Sequence, residues 1–227
     1  MSDASQDRTA AVPHERDEAA EALHQFRFVG VQPKADLTRF VALLRQWQQT
    51  HNLVSRSSLE GIWSRHVADS LQLLRHAPDF RRWVDLGSGA GFPGLVVAIA
   101  SKDQPERHVT LVEANHKKAA FLRAAIRETG APASVVAERI EAFAPGTAAA
   151  DVVSARALAP VADLLRLGAH LLGPGSVMLL LKGQDFVQEL EAASKYWDFD
   201  VLDSASVTDA GGRVLAIRNI RQRGPRP

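Results

Sequence analysis

The segment Val84-Asp85-Leu86-Gly87-Ser88-Gly89-Ala90-Gly91-Phe92-Pro93-Gly94 constrains the fold more than any other part of the chain. A short apolar run passes into three alternating glycines and leaves through an apolar stretch of helical length. Such a passage lets the backbone turn tightly at the end of a strand and come close to a ligand, which residues without a Cβ permit. In open α/β folds this turn lies at the carboxyl edge of a parallel sheet, where ligands bind. Gly89, Gly91 and Gly94 also satisfy G-x-G-x-x-G, so the loop alone is compatible with a dinucleotide.

The rest of the chain repeats the same unit. From Arg82 onward, short apolar runs at Trp83–Leu86, Val109–Glu113, Ser134–Ala137, Asp151–Ala155 and Val177–Lys182 are separated by segments of helical length beginning near Phe92, His116, Pro160 and Asp185. That alternation predicts βα units and a parallel sheet. Phe199–Val207 and Arg213–Ile220, joined by Thr208-Asp209-Ala210-Gly211-Gly212, predict an antiparallel pair that closes a seven-stranded sheet. Upstream, Leu37, Phe40, Val41, Leu44 and Trp47 share one face of a predicted helix, and Ile62 through Leu74 form a second. The expected organisation is a mobile arm over 1–30, N-terminal helices packed on the core over 31–80, and the catalytic core over 81–227.

Other features narrow the function. There is no cysteine, which excludes disulfides and thiolate metal sites. The eight histidines include no H-x-x-x-H or H-x-H spacing, so no metal is expected. Residues 1–30 hold six acids and three arginines, and no apolar run has the length of a signal-peptide core or a membrane span. A cytoplasmic protein with no membrane partner is expected. A net charge of +1 does not announce a nucleic-acid partner, yet five arginines and no acid lie from Arg213 to the end, among them Arg218, Arg221, Arg223 and Arg226. A phosphate-attracting patch and a solvated tail are both compatible with that run.

Asp85 extends the glycine pattern to D-x-G-x-G-x-G, which resembles methyltransferase motif I. A carboxylate there suits a ligand bearing an ammonium and a sulfonium better than a pyrophosphate. Tyr196 is the only tyrosine, so no Tyr-x-x-x-Lys pair for hydride chemistry exists. Glu113 ends the second predicted strand, where an acid accepts hydrogen bonds from ribose hydroxyls. Ile140 and Glu141, after the third strand, are placed to hold an adenine ring and its amino edge. Arg156 and Lys182 end the fourth and fifth strands on the ligand edge and are candidates for positioning substrate. His66 and Asp69 share a helix face and are candidates either for RNA contact or for tying the helix to the sheet.

A longer resemblance runs through Asn52-Leu53-Val54-Ser55, Arg65-His66-Val67-Ala68-Asp69-Ser70-Leu71, the glycine loop with Phe92-Pro93-Gly94, Phe121-Leu122-Arg123, Arg139-Ile140-Glu141, Ser154-Ala155-Arg156-Ala157 and Leu181-Lys182-Gly183-Gln184. Over roughly residues 35–220 the chain resembles the 16S rRNA (guanine(527)-N7)-methyltransferases, also called glucose-inhibited division protein B. The resemblance implies a Rossmann-like class I methyltransferase, S-adenosyl-L-methionine as cofactor, and a monomeric cytoplasmic enzyme acting on one guanine of 16S rRNA in the small ribosomal subunit. It implies cofactor contacts at Gly87, Phe92, Ile140, Glu141 and Arg156. The loop and strand-end reading adds Gly89, Gly91 and Glu113 to the cofactor site, and assigns Lys182, His66 and Asp69 to the substrate. Guanine N7 carries an in-plane lone pair and needs no deprotonation, so no general base is expected and catalysis rests on positioning. The rival readings are an NAD-dependent oxidoreductase and a catalytically silent RNA-binding protein of ribosome assembly.

Overall fold

The computed structural model describes residues 13–77, 79–144, 146 and 148–224. Seven strands form one sheet: β1 (Arg82–Leu86), β2 (His108–Val112), β3 (Ala133–Val136), β4 (Ala150–Arg156), β5 (Leu172–Lys182), β6 (Trp197–Ala205) and β7 (Arg213–Gln222). Their order is β3-β2-β1-β4-β5-β7-β6. Pairs among β1 to β5 are parallel, and β7 runs antiparallel to both β5 and β6. This is the expected Rossmann-like sheet with its antiparallel closure. The order reverses between β1 and β4, and a crevice opens there at the carboxyl ends of the strands.

Strand alternation sorts the core into two layers. Trp83 and Val109 face one side, which also buries Leu37, Phe40 and Leu44 of α2 (Val31–Gln48), Leu95 and Ile99 of α5 (Gly94–Ala100), and Phe121 and Leu122 of α6 (His116–Thr129). Val84 and Leu86 face the other, against Leu164 and Leu165 of α7 (Val161–Gly168) and Ala193 of α8 (Phe186–Ser194). Helix α6 starts where Asn115 Oδ1 accepts the N–H groups of Lys117 and Lys118 at 3.0 and 3.2 Å. It stops at Gly130, whose φ of +63° takes the left-handed conformation.

The N-terminal region departs from expectation. Residues 13–24 form helix α1 (Pro13–His24), and Leu23, Phe26 and Val29 are buried in the first core layer. Arg75 lies over the Phe26 ring at 5.1 Å and donates to the Gln25 carbonyl. The part of the expected mobile arm that is described is therefore packed structure; residues 1–12 lie outside the described residues. Its small, alanine-rich contact face carries little apolar periodicity, which is why the helix was not apparent. The expected second helix, Ile62 through Leu74, is a π-helical turn at Trp63–Ala68, α4 (Asp69–Leu71) and a 3₁₀ turn at Gln72–Arg75, and a short α3 (Arg56–Glu60) precedes it.

The arginines near the end are partly engaged. Arg218 donates to the Gly175 carbonyl at 2.9 Å and Arg223 pairs with Asp198 at 2.7 Å. Arg226 lies outside the described residues.

Candidate functional site

The glycine loop owes its shape to a buried carboxylate. Asp85 is fully buried; its Oδ1 accepts from the Ser154 hydroxyl at 2.6 Å, and Oδ2 accepts from the Gly94 N–H at 3.1 Å. Ser154 also accepts from the Trp83 indole at 2.7 Å, so a chain of bonds ties β1, β4 and the start of α5 together. Burial pushes the Asp85 carboxyl up to about 6, against the opposing pull of those hydrogen bonds. Asp85 does not line the cavity, so its expected role of attracting a cationic ligand gives way to bracing the loop. A Cβ on Gly94 would stand 2.5 Å from Asp85 Cβ, which explains the glycine there.

Above this brace lies a cavity of about 720 Å³, lined in part by Gly87, Gly89, Phe92, Glu113, Ile140 and Glu141. Gly87 and Gly89 have φ of +67° and +57°. The amides of Gly87 and Ser88 donate to the Val112 carbonyl, which folds the loop over the end of β2. A Cβ at Gly89 would meet nothing nearer than the Gly87 carbonyl at 3.8 Å, so the space before it is room for a ligand. Glu113 is nearly buried; Oε2 accepts the Gly89 N–H and Oε1 the Asn115 N–H, each at 2.8 Å. Two backbone donors thus fix the carboxylate in the cavity wall while lone pairs remain for a hydroxyl-bearing ligand.

His66 and Arg156 line both this cavity and a smaller one of about 230 Å³ shared with Ser58, Arg65, Asp69, Thr208 and Asp209. The His66 ring stacks on Phe92 with centroids 5.0 Å apart. Among the described residues neither ring nitrogen has a partner, and burial, then the charges of Arg156 and Arg65, push its pKa down to about 4. Arg156 donates to the Arg65 carbonyl at 2.9 Å and pairs through Nε with Asp69 at 3.7 Å, while its Nη1 is buried without a partner. Asp69 also accepts from Gln72, Ser206 and Thr208. Burial raises its pKa, and Arg156 opposes the rise. Asp69 therefore ties the helical segment to the β6–β7 turn and lines only the smaller cavity.

A family model described as rRNA small subunit methyltransferase G matches residues 33–220. The chain belongs to the rRNA small subunit methyltransferase G family. A protein of that name from Parvibaculum lavamentivorans is 50% identical over 185 residues, covering 81% of this chain and 82% of the relative. Another from Rhodopseudomonas palustris (strain HaA2) is 45% identical, covering 96% of this chain and 92% of the relative. Among solved structures, an O-methyltransferase from Bacillus cereus in complex with SAH matches with a TM-score of 0.53 and 15% identity, over 79% of this chain and 90% of that one; that likeness concerns the fold.

Within this rRNA small subunit methyltransferase G member, two expected site residues lie elsewhere. Gly91 does not line the cavity: a Cβ there would stand 3.0 Å from Leu95 Cβ and 3.2 Å from the Phe40 ring. Its glycine serves helix packing and a φ of +99°. Lys182 does not reach the cavity either. Its ammonium donates to the Ala159 carbonyl and to Glu189 Oε2, each at 2.6 Å. Glu189 Oε2 also accepts the Val161 N–H at 2.9 Å, so Lys182 anchors the β4–α7 loop rather than presenting charge to substrate. Sequence reasoning missed Lys118, Arg139, Leu158 and Arg166, all of which line the larger cavity. Each lies within a few residues of a strand end or on the next helix, which was the available signal. Among the described residues no group of three or more His, Asp or Glu is placed to hold a metal ion, and no helix is long and apolar enough to cross a membrane.

Proposed function

We propose that this chain methylates N7 of a specific guanine in the 16S rRNA of the small ribosomal subunit, with S-adenosylmethionine as methyl donor, acting in the cytoplasm as a monomer. The observation that carries the choice of cofactor is the start of α5. Gly94 N–H is taken by Asp85, the N–H groups of Leu95 and Val96 by the Gly91 carbonyl, and that of Val97 by the Pro93 carbonyl. A dinucleotide would need those donors for its pyrophosphate. What remains is a cavity with an acid for ribose hydroxyls beside a helix start whose amides from Gly94 to Val97 are engaged, which fits an adenosine carrying a cationic amino acid.

When bound, S-adenosylmethionine supplies an electrophilic methyl on sulfonium. In this reading Glu113 accepts from the ribose hydroxyls, Ile140 supplies apolar surface to the adenine, and Glu141 accepts from its amino group. Gly89 leaves room for the methionine portion, Gly87 makes the turn against Leu158, and Phe92 is a wall. Arg156, a wall of the same cavity, contributes positive charge toward the amino-acid carboxylate. Guanine N7 attacks through a lone pair it already has, so these residues need only hold the partners in line. N7 is inaccessible in the deep, narrow major groove of duplex RNA, so the target base must be unpaired or flipped. Lys118, Arg139 and Arg166, with Arg139 and Arg166 exposed, supply cations for the RNA backbone.

The test is transfer of labelled methyl from S-adenosylmethionine to small-subunit particles lacking the modification, followed by nucleoside mass spectrometry. 7-Methylguanosine in 16S rRNA is the expected product. Tight cofactor binding without any RNA label would point instead to a silent assembly protein.

A further inference from the structure

Arg156 apart, the smaller cavity has walls that no step so far has used. It is lined by Ser58, Arg65, His66, Asp69, Arg156, Thr208 and Asp209, and it meets the larger cavity at His66 and Arg156, the two residues common to both. That junction holds three buried polar atoms without partners, both His66 ring nitrogens and Arg156 Nη1. Leaving such groups unpaired is costly, and in native structures they call for an explanation. A ligand spanning the junction gives Arg156 Nη1 a partner.

The two acids of this cavity differ. Asp69 Oδ1 accepts from Gln72, Ser206 and Thr208, and its Oδ2 is paired with Arg156 at 3.7 Å. Asp209 is exposed on the turn between β6 and β7, and only its Oδ1 is engaged, by the Gly211 N–H at 2.9 Å. Among the described residues its Oδ2 has no hydrogen-bond partner. It thus presents an open carboxylate oxygen in a cavity whose other charged neighbours include Arg65 and Arg156, on a molecule whose substrate is a polyanion. An acid in that position is unfavourable for phosphate and favourable for a group that donates.

Building on the function proposed above, we propose that the smaller cavity receives the flipped target guanine and that Asp209 selects it. Guanine donates from N1 and from its exocyclic N2, on the edge opposite N7. With that edge at Asp209, N7 points to the junction with the larger cavity, where the methyl donor lies. The adjacent O6 is an acceptor and meets the donor-rich side of the junction at Arg156; the face of the base lies against the His66 ring, which continues the stack begun by Phe92. Adenine fails on both counts. It offers an amino donor where Arg156 donates, and no N–H at N1 or C2 for Asp209.

The experiment is a cycle in which protein and substrate are both varied. Small-subunit rRNA is assembled with guanosine, inosine or 7-deazaguanosine at the target position and methylated by wild type and Asp209→Ala, with S-adenosylhomocysteine affinity measured in parallel. Inosine lacks only the N2 amino group. Asp209→Ala should leave S-adenosylhomocysteine affinity within about twofold and lower kcat/KM on guanosine RNA about 10- to 100-fold, the scale of a lost hydrogen bond to a charged group. Inosine should cost wild type part of the same factor and cost Asp209→Ala almost nothing more, since that variant has already lost the N2 contact. Full additivity of the two losses, or wild-type kcat/KM for Asp209→Ala, would overturn the guanine pocket. Methyl transfer by wild type to 7-deazaguanosine RNA, which has no N7, would instead overturn the underlying N7 reading.

Discussion

Replacing Lys182 by Met keeps the aliphatic stem and deletes only the ammonium, which makes it a clean probe of the β4–α7 loop. The ammonium makes two 2.6 Å contacts, to the Ala159 carbonyl and to Glu189. Its side chain is 9% exposed, but that of Glu189 is 27% exposed, so water can recover part of the loss. Hydrogen bonds to charged groups contribute about 1.5–3 kcal/mol each; with that recovery, the expected net loss is about 2–3 kcal/mol. For a chain of this size the loss lowers Tm by roughly 4–12 °C. Ala157, Leu158 and Ala159 of the same loop line the larger cavity, and Ala157 holds a φ of +49°. Released from its anchor, the loop should lose that strained shape, so S-adenosylhomocysteine affinity should fall about tenfold, by about 1.4 kcal/mol, together with turnover. Glu189→Gln should behave similarly, and the double variant should be less than additive. Scanning calorimetry and titration calorimetry read both quantities. A Lys182→Met protein with unchanged Tm and cofactor affinity but slow methyl transfer would refute the anchor and restore Lys182 as a substrate contact.

Glu113→Ala frees the N–H groups of Gly89 and Asn115 and removes the ribose acceptor; S-adenosylhomocysteine should bind about 10- to 100-fold more weakly, or about 1.4–3 kcal/mol, and an unaltered dissociation constant speaks against the ribose role. Gly89→Val and Gly94→Ala should separate by phenotype. The first places its side chain in open cavity and abolishes cofactor binding while costing about 1–2 kcal/mol of stability through its positive φ; the second collides with Asp85 and Leu111 and should destabilise the fold by about 1–3 kcal/mol or more, as denaturant melts would show. The pH dependence of stability should contain two opposed contributions. Asp85, raised from 3.8 to about 6 by burial, stabilises most below pH 3.8 and loses that contribution as pH rises to 6; His66, lowered from 6.5 to about 4, contributes fully above pH 6.5 and loses it as pH falls to 4. Each amounts to about 3 kcal/mol, so relative to wild type, Asp85→Asn and His66→Gln should tilt the stability profile between pH 4 and 6.5 in opposite directions; parallel tilts would contradict the assignment.

The parallel sheet and the glycine loop were legible because both rest on local signals: apolar runs of strand length, and glycines where φ is positive. Glu113 was legible for the same reason, standing at a strand end at a fixed distance from the loop. Direction was harder to read. Asp85 and Gly91 belong to the same motif as Gly87 and Gly89, yet Asp85 turns under the loop and Gly91 turns toward Phe40, because the backbone reverses within a few residues. Lys182 sits at the expected strand end, but which way it reaches depends on Glu189 and on the Ala159 carbonyl, partners with no pattern linking them in the chain. Helix α1 was hidden by its composition, since alanines at a contact face resemble alanines in solvent. Lys118, Arg139 and Arg166 become neighbours only when three βα loops converge on one crevice.

The crossing of β7 back between β5 and β6 has a consequence for synthesis. The residues that line the larger cavity run from Val54 to Leu167, whereas the smaller cavity needs Thr208 and Asp209 from the final hairpin. A chain emerging from the ribosome therefore carries every wall of the larger cavity well before it carries the far wall of the other. Asp69 and Gln72 wait for partners, Ser206, Val207 and Thr208, that are made 135 to 139 residues later. Under the assignment proposed above, a product terminated before Thr208 can contain the residues for donor binding while lacking those that select the base, so competence toward RNA is reserved for molecules whose translation has passed the β6–β7 turn.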